Sequence, residues 1–162
     1  MHGSLKLRLG VPPTGVGRRV ALLGLLGLGA VLSTFRLAPV RGASMEPTLE
    51  NGQLLCYQVL PAVLHTPERG QVVVFHSPIV PDQCYVKRLV GLPGDELRFE
   101  KGRLLVNGNP LALPAGAVPE GYVLSARVPS GCFFALGDHG SVSYDSRRFG
   151  PVPLKFLIGP VL

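Results

Sequence analysis

The apolar pattern changes character once along the chain. Val20–Phe35 (VALLGLLGLGAVLSTF) is sixteen residues without a charge. Counted on through Arg36 to Val40, the run reaches 21 residues, or roughly 31 Å of helix at ~1.5 Å per residue. That length matches a hydrocarbon core of about 30 Å, with Arg36 snorkelling to the interface and Pro39 ending the helix. Short runs of strand character follow: Leu54–Leu60, Gln71–His76, Cys84–Val90, Glu96–Glu100, Arg103–Val106 and Cys132–Leu136. Lys101-Gly102 and Asn107-Gly108 are tight-turn signals between them. Proline and glycine clusters separate the other runs, and residues 109–131 read as a surface excursion. No repeat or low-complexity tract is present. The pattern predicts a mostly β, antiparallel, partly closed, barrel-like domain behind one N-terminal transmembrane helix.

Charge supports that division. The net charge is +6, but all of it lies in residues 1–41, where Lys6, Arg8, Arg18, Arg19, Arg36 and Arg41 face no acid. Residues 42–162 carry ten basic and ten acidic side chains, which cancel. A nucleic-acid binder would carry its basic patch on the folded domain, so nucleic acid is not an expected partner. A cleaved leader would need an A-x-A site after the apolar run, and TFRLAPVRGAS has none. A buried core helix would show a polar face, and none is visible. The expectation is a basic cytoplasmic tail (1–19), a membrane anchor (20–40) and an extracytoplasmic domain (41–162), oriented by the positive residues before the span. With 16% charged and 46% hydrophobic residues the chain is not intrinsically disordered.

Three segments carry candidate chemistry. The first is Gly42-Ala43-Ser44-Met45-Glu46-Pro47-Thr48-Leu49, a serine between small residues and a Met-x-Pro-Thr run at the entrance of the domain. By itself it could be a plain turn. The second is Tyr85-Val86-Lys87-Arg88-Leu89-Val90-Gly91-Leu92-Pro93-Gly94-Asp95. On a strand, Lys87 and Arg88 point to opposite faces, so one cation must turn toward whatever the sheet covers. An edge strand with both charges solvated is the alternative. The third is Ala135 to Gly150, a strand breaking into a loop with Ser143, Asp145 and Arg147; a polar loop pinned by an ion pair would look the same.

Together these blocks resemble type I signal peptidases, membrane-anchored serine proteases with a Ser/Lys dyad. S-M-x-P-T, K-R-x-V-G-L-P-G-D and G-D-x(6)-D-S-R occur here in the family's order and spacing. The resemblance implies Ser44 as nucleophile and Lys87 as general base. It implies Ser143 as the hydroxyl orienting the amine, and Asp145 with Arg147 as a supporting ion pair. The oxyanion would rest on backbone N–H groups at Ser44 and Gly42. Met45, Leu49, Tyr85 and Val86 are expected near the substrate pockets. The implied substrates are exported preproteins, cut after small residues in an A-x-A pattern, with no cofactor. An ordinary lysine, with a pKa near 10.4, is only ~0.04% neutral at pH 7, so apolar surroundings must depress that value. The loop His139-Gly140-Ser141-Val142-Ser143 lacks the family's frequent Asn/Arg pattern, and the stretch from Asp95 to Phe134 leaves room for only a minimal accessory sheet.

Other readings fit less of the chain. A Ser44/His/Asp145 triad would need His76 or His139, and neither lies in a recognisable motif. His65, His76 and His139 show no metal-ligand spacing with the cysteines, so no metal is expected. Cys56, Cys84 and Cys132 lie in apolar runs and are expected as buried, unpaired thiols. A self-cleaving repressor would share the serine motif and the dyad but would need an N-terminal DNA-binding domain. A peptide-binding pseudo-enzyme would have no use for both Ser44 and Lys87. A processing peptidase of a conjugation or organellar system is the near alternative. Membrane lipid is an expected partner; oligomeric state is not legible.

Overall fold

A computed structural model describes residues 34–59 and 68–162. The strands are β1 (Phe35–Pro39), β2 (Leu54–Gln58), β3 (Val72–His76), β4 (Cys84–Gly91), β5 (Glu96–Glu100), β6 (Arg103–Val106), β7 (Asn109–Pro110), β8 (Leu124–Arg127), β9 (Cys132–Leu136), β10 (Val152–Pro153) and β11 (Leu157–Pro160). One helical turn, α1 (Ser146–Phe149), and a 3-10 turn (Leu154–Phe156) complete the described elements.

All pairing is antiparallel, in three sheets: β1-β2, β10-β9-β4-β3-β11 and β7-β6-β5-β8. The strands do not close into a barrel, contrary to the barrel-like expectation. A Tyr57–Val161 bridge links the β1-β2 ribbon to the residue after β11.

The five-stranded sheet is apolar on both faces, which explains the hydrophobic runs of β3 and β9; Lys87 and Arg88 interrupt the run in β4. On one face Val73, Phe75, Leu89, Phe133 and Ala135 pack together. On the other, Val90, Phe134 and Leu136 meet Leu97, Phe99, Leu104 and Val106 of the four-stranded sheet. A third cluster joins Val74 to Val40, Met45, Leu49 and Leu55. Gly91 lies where sheets meet: a Cβ there would come within 2.9 Å of Val128 Cγ2.

The two predicted hairpins form. Lys101 and Gly102 have φ of 48° and 71°, and Asn107 and Gly108 have 51° and 80°. Two consecutive positive φ values suit the right-handed strand twist.

Three expectations change. Phe35–Pro39 is a strand paired residue for residue with Gln58–Leu54, so no helix runs to Val40. The rest of the expected anchor, and the tail before it, lie outside the described residues, as do Leu60 and His65. Among the described residues no helix is long and apolar enough to cross a membrane. Residues 109–131 are more than a surface excursion: β8 extends the four-stranded sheet by pairing with β5, and Ala117, Val118 and Val128 are buried. All three cysteines are unpaired as expected, but Cys84 is exposed and the other two are half-buried.

Candidate active site

Ser44 begins a tight turn that follows β1. The turn is held from below: Leu49 N–H donates to the Met45 carbonyl at 2.9 Å, and both side chains sink into the cluster with Val40, Leu55 and Val74. Met45 is fully buried and Leu49 nearly so. They are therefore core anchors of the turn rather than pocket residues, because the i, i+4 spacing turns both inward.

Lys87 sits near the middle of β4, opposite Val73 of β3. Its side chain is buried, with 4% relative exposure. Nζ lies 2.5 Å from Ser44 Oγ and 3.0 Å from the Val86 carbonyl oxygen, and 5.7 Å from the centre of the Tyr85 ring. Burial lowers the Lys87 pKa from 10.5 to about 8; nearby Asp145 and Asp138 oppose that shift and Arg147 adds to it. Burial dominates because both carboxylates are engaged by guanidinium groups.

Asp145 is fully buried. One oxygen accepts from Arg147 N–H and Nε; the other accepts from Gly137 N–H at 2.8 Å and Arg147 Nη2 at 2.6 Å. It also caps α1, which fixes where the loop after Gly137 turns back. Arg147 spans further, donating from Nη1 to the Ala117 carbonyl at 2.8 Å. The expected Asp145–Arg147 pair therefore forms. Ser143 is buried in the same loop, but its Oγ has no hydrogen-bond partner among the described residues and does not bond Lys87.

Gly137 explains why strand becomes loop at that point. A Cβ on Gly137 would collide with Ser143 Oγ and the Ser44 carbonyl oxygen. The next residues also meet the Ser44 segment: His139 N–H donates to the Ser44 carbonyl at 3.1 Å. At the other end of the serine segment, Gly42 has φ of +88° and donates its N–H to Asn51 Oδ1 at 2.9 Å. That amide is engaged within the loop and so is not an available oxyanion donor.

The sequence reading gave no role to a second polar cluster. Arg88 donates from Nε and Nη2 to the two oxygens of Asp138, at 2.8 and 2.6 Å, and from Nη1 to the Gly70 carbonyl. Thr48 Oγ1 donates to Asp138 at 2.5 Å and accepts from Arg88. The residues next to Lys87 and Gly137, and one within the Ser44 turn, are thus tied together. The available signal was the pair of adjacent cations on one strand. The one beside Lys87 also needed a partner, and Asp138 was the acid in the right block.

A cleft of about 590 Å³ opens over Ser44 and Lys87. Tyr85 and Val86 line it, together with Val40, Tyr57, Val142 and Tyr144. β4 pairs with β9 only over Arg88–Gly91, whereas it pairs with β3 over Cys84–Arg88. Among the described residues, the backbone of residues 85–87 therefore has no strand partner on one side. Among the described residues no cluster of three metal-ligating side chains occurs. A buried amine against a hydroxyl, beside an open strand edge, is suited to deprotonating that hydroxyl for attack on an extended chain.

Comparison with known proteins gives the family. Residues 15–162 match the family model described as signal peptidase, peptidase S26. A signal peptidase I of Bacillus caldolyticus is 37% identical over 137 residues, covering 75% of this chain and 74% of the relative. Signal peptidase IB of Staphylococcus aureus is 30% identical over 152 residues, covering 81% and 78%. The crystal structure of a signal peptidase I from Enterococcus faecalis superposes with a TM-score of 0.54 at 29% identity, covering 60% of this chain and 98% of that one. With the family model spanning nearly all of it, the chain belongs to the signal peptidases, peptidase S26.

Proposed function

We propose that this serine peptidase removes signal peptides from exported preproteins, with Ser44 as nucleophile and Lys87 as general base. The observation carrying the reading is the 2.5 Å approach of a buried lysine amine to a serine hydroxyl. Neutral Lys87 takes the proton from Ser44 Oγ as that oxygen bonds to the scissile carbonyl carbon. The resulting ammonium then gives a proton to the departing amine as the C–N bond breaks. Water attacks the acyl-enzyme next, with Lys87 again as base, and Ser44 is released. The Ser44 backbone N–H serves the oxyanion.

The preprotein lies along residues 85–87 as an added strand, so main-chain hydrogen bonds supply much of its affinity. The unpaired β4 edge beside the cleft supports this. Small residues are selected before the cut, in an A-x-A pattern. The protein is held in the cell membrane by one N-terminal span, with its tail cytoplasmic and the peptidase domain outside. The uncharged run Val20–Phe35 and the basic residues before it support that orientation.

Ser44→Ala and Lys87→Ala are each expected to abolish cleavage of a preprotein in detergent while the circular dichroism spectrum is retained. Cleavage persisting in either variant would remove the dyad. Protease added outside spheroplasts is expected to digest the domain; full protection would invert the orientation.

A further inference from the structure

The loop after Gly137 departs from the family's frequent Asn/Arg pattern, which raises the question of what holds it. It carries the contacts to Ser44, yet Ser143 Oγ and His139 Nδ1 are buried in it without partners. Asp138 and Asp145 fix its two ends, which leaves its middle, around Gly140, to be held from outside. Support comes from the connection between β7 and β8. Gly140 N–H donates to the Gly116 carbonyl at 3.0 Å, and Arg147 Nη1 donates to the Ala117 carbonyl at 2.8 Å. Ala117 is itself buried, and Gly116 has φ of +82°, which aims successive carbonyls at the loop. The approach leaves no room for a side chain: a Cβ on Gly140 would collide with both carbonyl oxygens.

Both contacts lead to the nucleophile. From Gly140 the path runs to the adjacent His139, whose N–H holds the Ser44 carbonyl. From Arg147 it runs through Asp145 to Gly137, against which the same carbonyl rests. We propose that the Gly116–Ala117 backbone is a positioning element for the reaction, setting the Ser44 backbone through Gly140 and Arg147. The proposal rests on Ser44 being the nucleophile. Displacing a nucleophile by about 1 Å costs on the order of 100-fold in rate without loss of binding. The peptide-pairing edge of β4 is not part of this path, so main-chain pairing of the substrate is kept, while Val142 and Tyr144 of the loop line the cleft and make KM respond less than kcat.

The test is steady-state kinetics on the full-length protein in detergent with a preprotein substrate. Gly140→Ala is expected to lower kcat about 10- to 100-fold, change KM by a much smaller factor than kcat, and leave the pH midpoint of kcat/KM in place. Leu157→Ala, which opens the core under β11, three strands from the β9 that leads into this loop, is the stability control: it lowers Tm and keeps kcat. The proposal is overturned if Gly140→Ala retains kcat, or if Leu157→Ala at matched destabilisation loses as much. Arg147→Lys decides the matter should Gly140→Ala not fold. It keeps a cation beside Asp145 but cannot also reach the Ala117 carbonyl, so a comparable fall in kcat is expected and unchanged kcat refutes. Ser44→Ala is run alongside. Activity surviving in Ser44→Ala sinks the nucleophile assignment, whereas an inactive Ser44→Ala with fully active Gly140→Ala and Arg147→Lys sinks only the positioning role.

Discussion

Lys87 has to be cheap to deprotonate, and the structure sets how cheap. Burial moves its pKa from 10.5 to about 8, so roughly 10% of the protein carries the neutral amine at pH 7 and about half at pH 8. At the ordinary value the neutral fraction at pH 7 would be some 300-fold smaller. Below about pH 8, kcat/KM on a preprotein should therefore rise nearly tenfold per pH unit, then level off. The same shift has a stability counterpart. The folded-state pKa lies below the unfolded one, so between about 8 and 10.5 the unfolded chain binds more protons and stability rises with pH. Below pH 8 the cost of the buried ammonium is fully present, roughly 3 kcal/mol. Lys87→Met keeps the volume and removes the charge. It should be inactive, yet melt about 6–12 °C higher than the parent at pH 7, with the gap closing by pH 10.5. Activity profiles and thermal melts on the two proteins decide the matter. A kcat/KM that keeps climbing past pH 9.5, or a Lys87→Met no more stable at pH 7, would refute the account.

Other substitutions probe the scaffold. Gly137→Ala should disable cleavage, since the new methyl group collides with the Ser44 carbonyl and Ser143 Oγ; the rate of preprotein hydrolysis checks this, and near-normal turnover would contradict it. Asp145→Ala leaves a buried guanidinium unpaired, Arg147 being 6% exposed, and should lower stability by about 3–5 kcal/mol; a urea midpoint within error of the parent would count against the pair. Thr48→Val removes the hydroxyl between Arg88 and Asp138 and should cost about 1.5–3 kcal/mol, read from the same titration.

How much of this was legible depends on how locally each feature is encoded. β3 and β9 read correctly because a strand covered on both faces is apolar without interruption, and β4 because apolar residues flank its two cations on either side. The two hairpins read correctly because Lys101-Gly102 and Asn107-Gly108 announce positive φ. β1 was hidden because FRLAP continues an apolar run, and Pro39 reads equally as a helix stop or a strand end. β8 was hidden by the surrounding prolines and glycines, since LSAR gains its conformation from pairing with β5. The motifs named Ser44 and Lys87, but not how their neighbours divide. Whether Met45 faces a pocket or the core depends on how a turn rolls, which alternation rules do not govern. Arg88 and Asp138 lie 50 positions apart, so only the folded chain reveals that the second cation found its acid.

The half-paired β4 also constrains what can be bound. A helix satisfies its amides and carbonyls internally and has none to offer residues 85–87. Whatever docks there must already be unwound, or must unwind at a cost, over the few positions flanking the bond to be cut. On the proposed binding mode the cleft discriminates between conformations before it discriminates between side chains, and a precursor whose apolar helix runs on through its cleavage region should be processed slowly even when the residues at the bond are ideal.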